Sequence, residues 1–374
     1  MKILTIVSGG RISNGALLAA ISNAHGLADR GDDVSLLVPQ DSFVDRHIDR
    51  ARVNVLNGTL DRWPLTELSR IRQWVVEHEI DVVHTHCSRA SAFGVLLRRL
   101  YGIPVVATAH ANKLQLHWCF NDHVVAVSDA TRRFHISHNL VPPWKISTVL
   151  NPIDTNRFKP IDDEQRSVLR ASVNLPPDST LLCIIGNVIP RKGHADAVKA
   201  LARIIDIVPS ARLVIMGRGS EKDTKDVERV AEKFGVADKL CWLGYREDAA
   251  SLMAAMDIVV CPSIDEPFGL VAPEALACQV PVIATAVGGF QTTIQDGETG
   301  YLVRPRCPEE LAAAMLQLIR NPSLRRSFGQ QGRRWVCEHL SPDAHFEQLR
   351  AVLSNVAEHA TAYRRKTKVK LKAA

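Results

Sequence analysis

Two successive series of short apolar runs, rich in β-branched residues, constrain this chain more than any other feature. The first series falls at residues 3–7, 34–38, 81–84, 105–108, 124–127 and 146–150. The second falls at 181–185, 213–216, 240–243, 258–261, 282–284 and 301–303. A run that is apolar on both faces fits a strand of a parallel sheet covered by helices on either side. The stretches between read as helices. In residues 16–30, Leu17, Ile21, Ala24, Leu27 and Ala28 share one helical face, and Gly31 stops the pattern. Two such series predict an α/β chain of two Rossmann-like, doubly wound parallel-sheet domains. The expected divisions are residues 1–155, 156–340, and a tail of 341–374, with the junction in NPIDTNRFKPIDD, residues 151–163. A helix over 324–340 follows a break at Asn321 and Pro322, and a final helix over 342–364 is free to pack back on the first domain. Such sheets bind ligands beyond the carboxyl ends of their strands, so the chemistry is expected on the loops after strands, in a cleft between the domains.

Composition removes several classes. The chain has 374 residues, 46% hydrophobic and 23% charged, which excludes a wholly disordered polymer. No run approaches the roughly 18 apolar residues of a membrane-spanning helix. The opening MKILTIVSGG is too short in its apolar part for a signal peptide and reads as the first buried strand of a cytoplasmic protein. The net charge of +6 is concentrated in the ending RRKTKVKLKAA, which holds Arg364, Arg365, Lys366, Lys368, Lys370 and Lys372 and no acid. The rest is close to neutral, so the body is not a nucleic-acid clamp. The tail suits an anionic membrane surface, such as the inner face of the plasma membrane, at about 1 kcal/mol per basic residue. It equally suits a solvated, frayed end. Eight cysteines occur without a C-x-x-C pair, and Cys183 and Cys261 sit inside apolar runs. They read as buried thiols of a reducing compartment, not as a disulfide scaffold or zinc cluster.

The strongest chemical signal is SIDEPFGLVAPEALACQVPVIATAVGG, residues 263–289. Pro267 ends regular structure, Gly269 allows close backbone approach, and Pro273 fits the first turn of a helix. Backbone N–H groups at Phe268, Gly269, Leu270 and Val271 would then leave a helix start, an anion site suited to a diphosphate or to sugar hydroxyls. Glu266 can accept hydrogen bonds from a sugar, and Glu274 can grip both hydroxyls of a ribose. Taken alone, the two acids could also be solvated. Gly288 and Gly289 again permit close backbone approach.

This run, S-x-x-E-P-F-G-L-x-x-x-E-A-L-A-x-x-x-P-V-I-A-T-x-x-G-G, resembles the donor site of retaining nucleotide-sugar glycosyltransferases of the GT-B fold, glycosyltransferase family 4. DVVHTH, VVATAH, VVAVSDAT, STVLNPIDTNRF, PRKG and D-G-x-x-G-x-L-V follow in the family's order. The resemblance implies a UDP- or GDP-sugar donor, no metal and no further cofactor. It places Lys192 as the phosphate-binding lysine, His110 beside the transferred sugar, and Gly15 as a close-approach glycine facing the diphosphate. Arg191 beside Lys192 gives a second cation at a strand end. Two positions depart from the family. Asn187 stands where an arginine is expected after Gly186, and Thr292 where an acid is expected after Gly289.

The weaker signals keep their alternatives. Asn14 reads as the N-cap of a plain strand-to-helix turn, compatible with Gly15 at a ligand. His84 and His86 share a strand face. With His110 they suggest a metal set whose spacing does not converge, and strand-end packing or acceptor contact fits them better. Ser88 and Arg89 are acceptor contacts or plain surface. Gly217–Arg218–Gly219 and Gly244–Tyr245–Arg246 are strand-end turns around a base and ribose, or ordinary turns.

The leading expectation is a metal-independent, anomer-retaining transferase. His110, Glu266 and Lys192 are its catalytic residues. Gly15, Arg191, Lys192, Glu266, Phe268, Gly269, Leu270, Val271 and Glu274 hold the donor. The acceptor is a saccharide or lipid-linked saccharide, as in lipopolysaccharide synthesis. A nucleotide-sugar epimerase of similar fold and an inactive nucleotide-sugar-binding partner are the competing readings. A dehydrogenase is disfavoured, because no dinucleotide fingerprint follows the first strand.

Overall fold

The computed structural model describes residues 1–11, 14–60 and 65–372, with residue 65 and residues 361–372 as backbone only. The chain divides into two compact units: Met1–Asn151 together with the chain from Pro342 onward, and Pro152–Ser341.

The first unit contains strands β1 Lys2–Val7, β2 Asp33–Val38, β3 Asn54–Asn57, β4 Val82–His86, β5 Val105–Ala109, β6 His123–Ala126 and β7 Ile146–Thr148. They form one parallel sheet in the order β3-β2-β1-β4-β5-β6-β7. The second contains β8 Thr180–Ile185, β9 Ala211–Met216, β10 Leu240–Gly244, β11 Ile258–Cys261, β12 Val282–Thr285 and β13 Gly300–Val303. Its parallel order is β10-β9-β8-β11-β12-β13. The strand order reverses between β1 and β4 and between β8 and β11, the switch points beyond whose carboxyl ends such sheets bind ligands.

Every expected run is a strand. The sequence reading missed β3, because NVLN has only two apolar residues between asparagines and lies at the sheet edge. The first helix runs Gly15–Ala28, and Asn14 caps it by accepting from the Leu17 N–H at 3.1 Å. The last helix runs Pro342–Lys372, past the expected end at 364, since no Gly or Pro interrupts RRKTKVKLK. The side chains of its six terminal basic residues lie outside the described residues.

That helix belongs to the first unit through its apolar side. Phe346, Leu349 and Leu353 are buried among Ile3, Leu17, Leu27 and Val82. Each contributes about 1.5–3 kcal/mol by burial. His345 fixes its register, with Nδ1 2.7 Å from Leu150 O and Nε2 2.9 Å from Asn23 Oδ1. In the second unit, Asp257 pins the amino ends of the strands. It accepts from Leu181 N–H at 2.8 Å, Arg166 at 2.5 Å and Arg170 at 2.9 Å. Among the described residues no helix is long and apolar enough to cross a membrane.

Candidate active site

In the second unit the loops after β8 and β11 flank the reversal point. After β8, Val188 N–H donates to Arg218 O at 2.8 Å, tying this loop to the one after β9. A 3-10 turn, Pro190–Lys192, then leads through Gly193 into the helix His194–Ile204. Gly193 has φ +73°, and a Cβ there would lie 1.9 Å from Pro262 O. Only glycine fits both the left-handed backbone and the approach. Ile264 N–H donates to Arg191 O at 2.8 Å, so the two loops hold each other.

After β11 the chain turns through Ser263 and Glu266 into the helix Val271–Ala277. Glu266 is buried. Its Oε2 accepts from Lys192 Nζ at 2.5 Å, lies 3.4 Å from Ser263 Oγ and 3.7 Å from Arg191 Nη1. Arg191 also donates to Asp265 O at 2.5 Å. One carboxylate thus faces two cations, leaving a positive surplus beside a strand end where an anion is favoured. The N–H groups of Phe268, Gly269, Leu270 and Val271 donate to no backbone carbonyl among the described residues. The Phe268 side chain is buried, which limits it to packing and its backbone to any ligand contact.

The Glu274 carboxyl, in the following helix turn, has no hydrogen-bond or ion-pair partner among the described residues, and the residue keeps only part of its surface in solvent. Burial pushes its pKa up to about 7, and the charges of Arg157 and Lys192 pull the other way. An enclosed carboxyl without a partner destabilises the fold when it ionises and suits a ligand.

Gly288 and Gly289 do something the sequence reading did not give them. A Cβ on Gly288, at φ +52°, would lie 1.8 Å from Glu266 O, and Gly289 N–H donates to that oxygen at 2.8 Å. The close approach they permit is to the Glu266 loop. Gly269 likewise is pressed against the Phe290 ring. Asn187 is exposed, and Thr292 is half-buried in the short helix Phe290–Thr293. Beyond β9 and β10, the Arg218 guanidinium lies 4.8 Å over the Tyr245 ring, while Arg246 is paired with Asp248.

Sequence reasoning missed Ser263 and His194. His194 is buried with neither ring nitrogen partnered, and burial, then the Lys192 charge, lowers its pKa to about 4. Its place directly after PRKG was the available signal.

In the first unit, His110 follows β5 and His86 ends β4. His86 Nδ1 lies 2.9 Å from His110 Nε2, and His84 Nε2 lies 2.7 Å from Thr108 Oγ1. Burial lowers His110 to about 4 and His84 to about 3. His84 meets His86 edge-on and His86 stacks on His110, so the rings run along the sheet instead of converging, and no group of three metal-ligating side chains that could hold a metal occurs among the described residues. Gly15 is the first residue of its helix, while Ile12 and Ser13 of the preceding loop lie outside the described residues. Ser88 and Arg89 open the helix Ser88–Tyr101. Lys192, Arg191 and Glu266 are therefore together in one unit with Glu274 nearby, and His110 and Gly15 belong to the other.

Comparison with known proteins fits this frame. Residues 14–157 match the model of Glycosyltransferase Family 4, and residues 165–335 that of Glycosyl transferases group 1. The chain is 29% identical over 276 residues to the D-inositol 3-phosphate glycosyltransferase of Segniliparus rotundus, covering 67% of this chain and 61% of that one. It is 28% identical over 354 residues to the N-acetyl-alpha-D-glucosaminyl L-malate synthase of Bacillus anthracis, covering 88% and 91%. The structure of Anabaena HepE in complex with UDP-glucose superposes with a TM-score of 0.85 at 22% identity, covering 95% of this chain and 100% of that one. Two parallel-sheet α/β units in this order are the GT-B fold of glycosyltransferases. The chain belongs to glycosyltransferase family 4 and is a glycosyltransferase.

Proposed function

We propose that this enzyme moves the sugar of a UDP- or GDP-sugar onto a hydroxyl of a saccharide or lipid-linked acceptor, with retention of anomeric configuration and without a metal ion. The observation that carries this reading is the Lys192–Glu266 pair at the β8 and β11 loop ends, with Arg191 beside it and Glu274 unpartnered one helix turn on. A departing nucleoside diphosphate needs compensating charge, which Lys192 and Arg191 supply in a partly desolvated place. Lys192 exchanges Glu266 for phosphate oxygens when the donor enters, and the freed Glu266 carboxylate accepts from sugar hydroxyls. Glu274, once ionised, accepts both ribose hydroxyls. In the front-face reaction that the family resemblance implies, the acceptor oxygen bonds to the anomeric carbon as the carbon–phosphate-oxygen bond breaks. The acceptor's proton passes to the leaving phosphate oxygen, so no protein nucleophile is required.

HepE's bound UDP-glucose supports UDP over GDP. For the acceptor we place the enzyme in the cytoplasm, peripheral at the inner membrane face, acting on a surface glycan such as lipopolysaccharide. The two relatives' names favour a second reading, a small anionic acceptor like inositol phosphate or malate. A transfer assay with UDP- and GDP-sugars in EDTA, with products analysed by NMR for anomeric configuration, tests the proposal. Transfer with retention, abolished in Lys192→Ala and Glu266→Ala, is the expected result. Interconversion of the donor without acceptor would instead identify an epimerase, and binding without turnover an inactive partner.

A further inference from the structure

His84 and His86 are fully buried at the carboxyl ends of the first unit's strands, and the transfer reaction proposed above uses neither. His86 Nδ1 faces His110 Nε2 at 2.9 Å with the rings stacked at 5.1 Å. Its other nitrogen, Nε2, is buried with no hydrogen-bond partner among the described residues. His84 packs its ring against His86 at 4.3 Å and directs its own Nε2 to Thr108, while its Nδ1, like His86 Nε2, is buried with no hydrogen-bond partner among the described residues. His110 is half-buried, and its Nδ1 makes no hydrogen bond among the described residues. Burial lowers all three pKa values, to about 3 for His84, about 4 for His110 and well below 6.5 for His86, so near neutral pH each ring is uncharged.

A neutral imidazole has one N–H and one bare nitrogen. Only one hydrogen lies between His86 Nδ1 and His110 Nε2, which leaves two arrangements. If His110 donates, the remaining proton of His86 sits on Nε2, and a buried N–H goes without an acceptor. If His86 donates, its buried Nε2 is a bare lone pair, and His110 carries its proton on Nδ1. Orphaned buried N–H groups are the rarer and costlier of the two outcomes.

We propose that His86 is a positioning residue that holds His110 in the Nδ1–H tautomer, so that His110 meets a sugar as a hydrogen-bond donor to a hydroxyl oxygen and not as a proton acceptor. The contact with sugar rests on the function proposed above, whereas the tautomer does not.

The test is a long-range 1H–15N correlation spectrum of the full-length protein with labelled histidine at pH 7.5. The chain has fourteen histidines, and a His110→Asn spectrum assigns the signal. Wild-type His110 should show a protonated Nδ1 and a pyridine-like Nε2. His86→Asn keeps an N–H donor facing His110 and should keep that tautomer. His86→Phe removes the donor, and His110 should move toward the Nε2–H form that free imidazole side chains favour. In transfer assays His86→Phe should lower kcat about tenfold or more while the donor KM stays within about twofold, and His86→Asn should recover most of the loss. An Nε2–H His110 in the wild type, or an unchanged tautomer in His86→Phe, overturns the proposal. The expected tautomers with an unchanged kcat in His86→Phe would support the pairing and overturn the sugar contact of His110. Should His86→Phe fail to fold, the wild-type spectrum alone decides the tautomer.

Discussion

Replacing Glu274 by Gln separates what this carboxyl does to the fold from what it does for a donor. In the ligand-free protein burial raises its pKa from an ordinary 4.5 to about 7. The native state then binds the proton more tightly than the unfolded chain does. The associated stability is fully present below about 4.5 and is lost as pH rises through about 7. At 1.36 kcal/mol per unit, the ionised carboxylate costs the native state about 3 kcal/mol at pH 8 and about 1.4 kcal/mol at pH 5.5. Gln cannot ionise and escapes that cost. Glu274→Gln should therefore be more stable than the wild type by up to about 3 kcal/mol at pH 8, with the advantage shrinking by about 2 kcal/mol at pH 5.5. Donor affinity should move the other way. Losing a charge-assisted hydrogen bond to ribose removes about 1.5–3 kcal/mol, roughly a 10- to 150-fold weaker association. Urea unfolding at the two pH values, beside calorimetric titration with a UDP-sugar, reads both effects. A variant less stable than the wild type at pH 8, or one that binds the donor as tightly, would refute the reasoning.

Three further substitutions probe the same loops. Lys192→Ala leaves the buried Glu266 with Ser263 Oγ at 3.4 Å and Arg191 at 3.7 Å as its remaining partners, and should cost about 2–3 kcal/mol in denaturant unfolding, most of it recovered in the Lys192→Ala/Glu266→Gln double variant. Asn187→Arg restores the cation expected after Gly186. Because Asn187 is exposed, titration should show tighter nucleotide binding by about tenfold with no change in melting temperature. Gly193→Ala meets both a positive φ and the Pro262 carbonyl, and should lower stability by more than about 2 kcal/mol and abolish transfer, as thermal melts and the transferase assay would show.

The strands are legible in the sequence wherever a sheet position is covered on both faces, since an unbroken apolar run is then obligatory. β3 escapes because an edge strand needs only a pair of apolar residues. Loop positions follow from the strands, so the sequence alone directs attention to Arg191, Lys192, Glu266 and Glu274. The partners of these groups are not legible. Lys192 and Glu266 are 74 positions apart, and their pairing depends on β8 lying beside β11. His86 and His110 are 24 apart and meet only because β4 and β5 run in register. Gly288 and Gly289 mark a close approach that sequence detects, but whether the approaching group is a ligand or the Glu266 loop is a property of the packed structure. The raised pKa of Glu274 is likewise a consequence of enclosure, which spacing does not carry.

The most direct measurement is a crystal structure of the enzyme with an intact UDP-sugar. The account predicts the ribose hydroxyls on the Glu274 carboxylate, the diphosphate on Lys192 and Arg191, and Glu266 released from Lys192 to face the sugar. A nucleotide bound away from the β8 and β11 loops, with the Lys192–Glu266 pair still closed, would contradict it.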